Sequence, residues 1–172
     1  RKDFSKAAIG TDRIAHQEKY GFELLQGDEI FQGKLLGGCL ESFYDILTAT
    51  RYKDEKDICE KYGLFPSKEE WTGKILFIET CEEKPVPELF EKEIIALKDK
   101  GLFEVVNGVL VGKPQDEAYY QEYKEILIKV IDNEKLPIVY NVNFGHATPR
   151  CTLQYGVAAT VDMKQKKIYF DK

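Results

Sequence analysis

Lys74-Ile75-Leu76-Phe77-Ile78-Glu79-Thr80 is the stretch on which the fold of this chain turns. After its lysine the run is continuously apolar and then stops on a carboxylate, the pattern of a short strand covered on both faces. Residues 85–100 downstream change to the helical period, with Phe90, Ile94 and Leu97 spaced by four and three and Gly101 placed to end the helix. Residues 105–111 read as a second strand. Residues 118–131 read as a second helix, with Asp116 near its start and Tyr119, Tyr123, Leu127 and Val130 on one face. Residues 137–142 supply a third strand. Units of this β-α-β-α-β kind are parallel and right-handed. The expected class is therefore α/β, a mostly parallel sheet flanked by helices. Glu79, the Gly112-Lys113-Pro114 turn and the loop bearing His146 should all leave from one edge of that sheet.

On either side the signals are weaker. Residues 21–26 and 31–36 suggest short strands around Gly27-Asp28-Glu29, and residues 41–48 a helix whose Phe43, Ile46 and Leu47 share a face. Residues 51–73 are charged, a surface excursion with one or two short helices. Within it Ser67-x-x-Glu70 has the form of a capping box, just before the lone Trp71. Residues 157–162 and 168–170 form an expected hairpin around the solvated Lys164-Gln165-Lys166-Lys167 turn. Residues 1–20 are polar and weakly periodic, an incoming linker or strap, so the folded unit is expected over 21–172. The sequence opens at Arg1 and its single methionine is Met163, from which further residues upstream are expected.

A chain of 172 residues with 43% hydrophobic content can bury a full core without staples. Its net charge of −5 argues against a nucleic-acid partner, and no apolar stretch reaches the ~20 residues that span a bilayer. A soluble, cytoplasmic protein with reduced thiols is expected. Cys39, Cys59, Cys81 and Cys151 show no Cys-x-x-Cys spacing, and with two histidines to join them no metal site is expected. Nor is a cofactor. Gly108-Val109-Leu110-Val111-Gly112-Lys113 has the wrong glycine spacing for a phosphate loop, and Pro114 stands where that loop needs a hydroxyl residue.

The chemistry rests on Glu79 and His146. An acid and an imidazole at two carboxyl ends of parallel strands are candidates for one catalytic site. They make two members of a hydrolytic triad. No serine here occupies a Gly-x-Ser-x-Gly turn, and Ser67 is accounted for as a cap. Cys39, after Gly37-Gly38 at an expected strand-to-helix turn, is the one thiol placed for display as a nucleophile, although Leu40-Glu41 follow where a small residue is usual. A self-contained cysteine hydrolase built from Cys39, His146 and Glu79 is thus one alternative, and a binding module without chemistry another. Lys84 and Lys113, near the same edge, can offer positive charge to a carboxylate or phosphate. His16, in a polar segment, reads as solvated, and the tyrosines at 119, 120 and 123 as core and interface.

Three phrases in order, Gly33-Lys-Leu-Leu-Gly-Gly-Cys-Leu, Gly73-Lys-Ile-Leu-Phe-Ile-Glu-Thr and Phe144-Gly-His-Ala-Thr-Pro-Arg, give the chain from about Gly21 onward a family likeness. It resembles the carboxyl-terminal domain of the serine LD-carboxypeptidases, most closely the branch containing the microcin C immunity proteins. The resemblance implies a swivelling β/β/α fold within a dimeric cytoplasmic hydrolase. It also implies that the nucleophilic serine lies on a separate amino-terminal domain, absent from this sequence, while Glu79 and His146 match the glutamate and histidine of the triad. Cys39 falls where some relatives carry asparagine, which bears on substrate preference. The implied substrates are a murein tetrapeptide ending in a D-amino acid, or a peptidyl or aminoacyl nucleotide.

Overall fold

A computed structural model describes residue 10 and residues 19–171. His16 and most of the proposed linker lie outside them. The elements are β1 (Glu23–Gln26), β2 (Ile30–Cys39), α1 (Leu40–Thr48), α2 (Glu55–Tyr62), α3 (Lys68–Trp71), β3 (Lys74–Glu79), α4 (Pro87–Asp99), β4 (Gly108–Gly112), α5 (Tyr120–Ile131), β5 (Ile138–Val142), β6 (Ala158–Asp162) and β7 (Lys167–Phe170), with 3-10 turns at Leu102–Glu104 and Gln115–Glu117. They form one α/β unit around a seven-stranded sheet of order β1-β5-β4-β3-β2-β6-β7. The four central strands, β5, β4, β3 and β2, are parallel. Both edges are antiparallel, β1 on β5 and the β6–β7 hairpin on β2, so the sheet is mixed rather than parallel throughout.

Strand β3 is buried along its length after Lys74, and its side chains alternate between two cores. Leu76 and Ile78 join Phe90, Ile94, Leu97, Tyr123 and Leu127, the stripes of α4 and α5. Ile75 and Phe77 join Leu35, Leu110, Phe144 and Val161 on the opposite face. Both long helices thus cover one side. The other is closed by Phe144 and by the turn of the sheet through β6, which is the two-layer economy of burying each apolar face once. The excursion over 51–73 carries α2 and α3. It is anchored by the fully buried Trp71, against which Phe43 stands edge-on and Phe65 tilted, and Ser67 and Glu70 close the capping box expected of them.

Two boundaries differ from the sequence reading, each for a steric reason. Strand β2 continues through Gly37 and Gly38 to Cys39 instead of ending near residue 36. A Cβ at Gly37 would lie 1.8 Å from the Phe77 carbonyl oxygen, so the glycine permits close pairing with β3 rather than marking a turn. Strand β4 starts at Gly108, not 105, because residues 102–104 form a 3-10 turn with Leu102 and Phe103 buried, and Val105 is spent accepting a hydrogen bond from the Gly73 N–H.

Glu93, on the inner side of α4, is 1% exposed, and its Oε2 has no hydrogen-bond partner among the described residues. Burial, then the nearby charges of Glu41 and Asp45, push its carboxyl up to about 8. It is held neutral at pH 7. The unfolded chain loses this proton near the ordinary 4.5 while the folded chain keeps it, so stability falls as pH rises from about 4.5 to about 8. Glu93→Gln is therefore expected to stabilise the fold by about 1–3 kcal/mol at pH 7, each unit of displacement being worth roughly 1.4 kcal/mol. Urea denaturation should also show a flatter pH dependence in the variant over that window; an unchanged slope would contradict the assignment.

Candidate active site

The site lies at the carboxyl edge of the parallel strands. Glu79 is the last residue of β3 and falls, by alternation, on the Phe77 face; it is 8% exposed. From β5 the chain runs through Asn143, Phe144 and Gly145 to His146, and this loop folds back over Glu79. Cys151 N–H donates to the Asn143 carbonyl at 2.7 Å, and Arg150 Nη1 donates to the carbonyls of Gly145 and His146 at 3.2 and 3.4 Å. Phe144 meets Phe77 edge-on below.

One carboxylate oxygen makes the pair. Glu79 Oε2 accepts the backbone N–H of His146 at 3.0 Å and stands 2.8 Å from its Nδ1. With Nδ1 donating, Nε2 is left facing outward from a side chain that is 41% exposed. There it lies 3.3 Å from the Glu82 carboxylate on the turn after β3, a side chain 69% exposed.

Space for this contact comes from two glycines. A Cβ at Gly112, the end of β4, would lie 2.6 Å from Glu79 Cβ; one at Gly145 would lie 2.5 Å from Oε2, and Gly145 also holds a left-handed φ of +90°. Neither glycine's role was readable from the sequence, because each depends on a neighbour distant along the chain.

The hydrogen bond to Glu79 raises the His146 imidazole above its ordinary 6.5; partial burial opposes this, while the charges of Glu79, Glu82 and Glu41 support it. Below about 6.5 both folded and unfolded histidine are protonated and the stabilisation is fully present; it is lost as pH rises through the elevated folded value. A titration of the His146 ring protons by NMR should give a midpoint above 6.5 that drops on Glu79→Gln. A midpoint unmoved by that change would show that the two groups do not share a proton.

The other candidates take different places. Cys39 ends β2 directly opposite Glu79 in the parallel register, so it adjoins the pair. Its Sγ donates to Glu41 Oε2 at 3.1 Å, and burial first, with the Glu41 contact, pushes the thiol up to about 11. That thiol is poorly suited to attack, since the thiolate is the nucleophile. Lys84, on the turn between β3 and α4, is paired with Asp116 at 2.8 Å. Lys113 directly follows β4 and is 6% exposed; burial lowers its ammonium pKa, partly opposed by Glu117. All of these residues do lie near the carboxyl ends of the parallel strands. Tyr120 and Tyr123 are buried, as expected of core residues.

A carboxylate holding an imidazole by Nδ1, with Nε2 turned outward beside Glu82, is an arrangement capable of general acid–base chemistry. The chain belongs to the LD-carboxypeptidase C-terminal domain family, which it matches over residues 32–161. Among solved structures it is 54% identical to an MccF-like protein from Streptococcus pneumoniae in complex with AMP, with a TM-score of 0.94, covering 99% of this chain and 49% of that one. An MccF-like protein from Bacillus anthracis shares the fold at 22% identity and TM-score 0.70, over 95% of this chain and 46% of that one. A Treponema pallidum (strain Nichols) protein named "Putative carboxypeptidase" is 29% identical over 153 residues, 86% of this chain and 39% of that protein. The chain thus spans about half or less of the length of these relatives.

Proposed function

We propose that this chain supplies the glutamate and histidine of a Ser-Glu-His triad within a longer, homodimeric, cytoplasmic serine hydrolase whose nucleophile lies on an amino-terminal domain. The observation that carries this reading is the Glu79 Oε2 to His146 Nδ1 contact of 2.8 Å with Nε2 turned outward. In this scheme His146 Nε2 takes the proton of the serine hydroxyl as its oxygen attacks the substrate's amide carbonyl, then gives that proton to the departing amine as the C–N bond breaks. Water repeats the sequence on the acyl-enzyme. Glu79 keeps the imidazole in the tautomer that accepts at Nε2 and offsets its charge once protonated. Glu82, at the Nε2 face, moves aside for the serine.

The substrate favoured is an aminoacyl or peptidyl nucleotide. The 54% identical relative is seen with AMP, and a more distant neighbour, the microcin C7 self-immunity protein, is seen with aspartyl sulfamoyl adenosine. The family's description as LD-carboxypeptidase supports a murein tetrapeptide as the second reading. Lys84 and Lys113 would then stand near the substrate's phosphate or carboxylate, and Cys39 beside the acyl group. Incubating the longer protein with aspartyl sulfamoyl adenosine and, separately, with an LD-tetrapeptide decides between them: preferential release of aspartate supports the nucleotide reading, preferential release of the terminal D-amino acid supports the other, and hydrolysis of neither contradicts both.

A further inference from the structure

Glu41 is the second residue of α1, where an acidic side chain ordinarily needs no explanation beyond the helix dipole. Its carboxylate is engaged elsewhere. Oε1 accepts the backbone N–H of Cys81 at 2.9 Å, and Oε2 accepts the thiol of Cys39 at 3.1 Å. Cys39 is the N-cap of α1 yet makes no side-chain capping bond, its thiol being turned to Glu41. Cys39 ends β2 directly beside Glu79 in the parallel register, and Cys81 lies just beyond Glu79 on the turn that carries Glu82. A single carboxylate therefore joins the end of one strand to the exit of the next, with Glu79 between the two points of attachment.

We propose that Glu41 is a positioning residue of the active site: by bridging the Cys39 thiol and the Cys81 N–H, it fixes the turn after β3 and so the direction in which Glu79 meets His146. The inference rests on the reading of Glu79 and His146 as the working pair. Two further features agree with it. Glu41 is one of the carboxylates whose charge favours protonated His146, along with Glu79 and Glu82. It also helps to raise the Cys39 and Cys81 thiols, to about 11 and about 12, after the larger effect of burial, so Cys39 remains protonated and able to donate. The bridge thus sustains its own donor. A helix-dipole role alone would involve neither strand end and would leave His146 untouched.

The test uses NMR on this chain, with His146→Ala to separate the ring signals of His146 from those of His16. In Glu41→Ala the downfield Nδ1–H signal of His146 should broaden or vanish and the titration midpoint should fall by about half a pH unit, as expected from losing one nearby charge. Glu41→Gln, whose amide oxygen can still accept from the Cys81 N–H, should keep the Nδ1–H signal while the midpoint falls. Retention of both signal and midpoint in Glu41→Ala overturns the proposal.

Glu79→Gln separates the two levels of inference. If it leaves the His146 midpoint unchanged, the pair itself is misread; if it lowers the midpoint while Glu41→Ala does nothing, only the role of Glu41 fails. Should Glu41→Ala not fold, the unaltered chain still decides. The Cys81 amide should exchange at least ~100-fold more slowly than the amides of the exposed Glu82 and Glu83, and equal rates would mean that the bridge is not formed. In the longer protein, Glu41→Ala should lower kcat about tenfold or more with KM little changed, as a small misplacement of a reacting group does, and Glu41→Gln should recover much of that loss.

Discussion

In the longer protein, His146→Ala is expected to lower kcat by roughly 10³-fold or more, and Glu79→Ala by somewhat less. The difference follows from the geometry. In the proposed scheme His146 is the group whose Nε2 accepts and returns the proton, and the exposed Glu82 carboxylate, 3.3 Å from that nitrogen, is displaced by the serine rather than taking over both steps. Glu79 acts through His146, accepting both its Nδ1–H and its backbone N–H. Without it the imidazole loses its preferred tautomer and part of its basicity but remains present. Because members of a triad act as a unit, the double variant should be little worse than His146→Ala. Steady-state kinetics on the three variants measure this, and multiplicative losses would indicate that the two residues serve separate steps.

The largest expected effect on folding is at Gly37. A methyl group there would be placed 1.8 Å from the carbonyl oxygen of Phe77, a backbone atom that no rotamer change can move. Relief requires β2 to part from β3, across a register that runs from Lys34–Lys74 to Cys39–Glu79. Gly37→Ala should therefore cost about 3 kcal/mol or more, at or above the upper end for ordinary overpacking. For a domain of this size that corresponds to a fall in Tm of roughly 10 °C. A thermal melt followed by circular dichroism reads it directly. A Tm within about 2 °C of the parent, less than 1 kcal/mol by the same relation, would mean that the two strands are not packed this closely.

The centre of the sheet was legible because β3 and β5 are short, largely apolar runs, interrupted within β5 only by Asn141, and because α4 and α5 carry stripes at spacings of three and four that match a sheet face. Glu79 at the end of β3 and His146 in the loop after β5 were also singled out by position alone, without knowing that they touch. Strand β2 was read short for a physical reason: Gly37-Gly38 is composed like a turn, and only the partner strand reveals that the missing side chains are what allow pairing. The antiparallel edges were hidden because β1 pairs with β5 and β6 with β2 across long stretches of chain, and strand composition does not specify such partners. Glu41, Glu82, Gly112 and Gly145 were missed for the same kind of reason. Each looks ordinary within its own segment, a helix-opening acid, a surface acid and two loop or strand-end glycines, and acquires its role only from the side chains that folding sets against it.

The central claim is that this chain carries the base and its carboxylate but not the attacking group. It is tested most directly by assaying the isolated 172-residue chain beside the longer protein on aspartyl sulfamoyl adenosine and an LD-tetrapeptide, each with and without Cys39→Ser. The account predicts no turnover by the isolated chain and turnover by the longer protein that survives Cys39→Ser. Turnover by the isolated chain that disappears in Cys39→Ser would contradict it and identify a cysteine hydrolase instead.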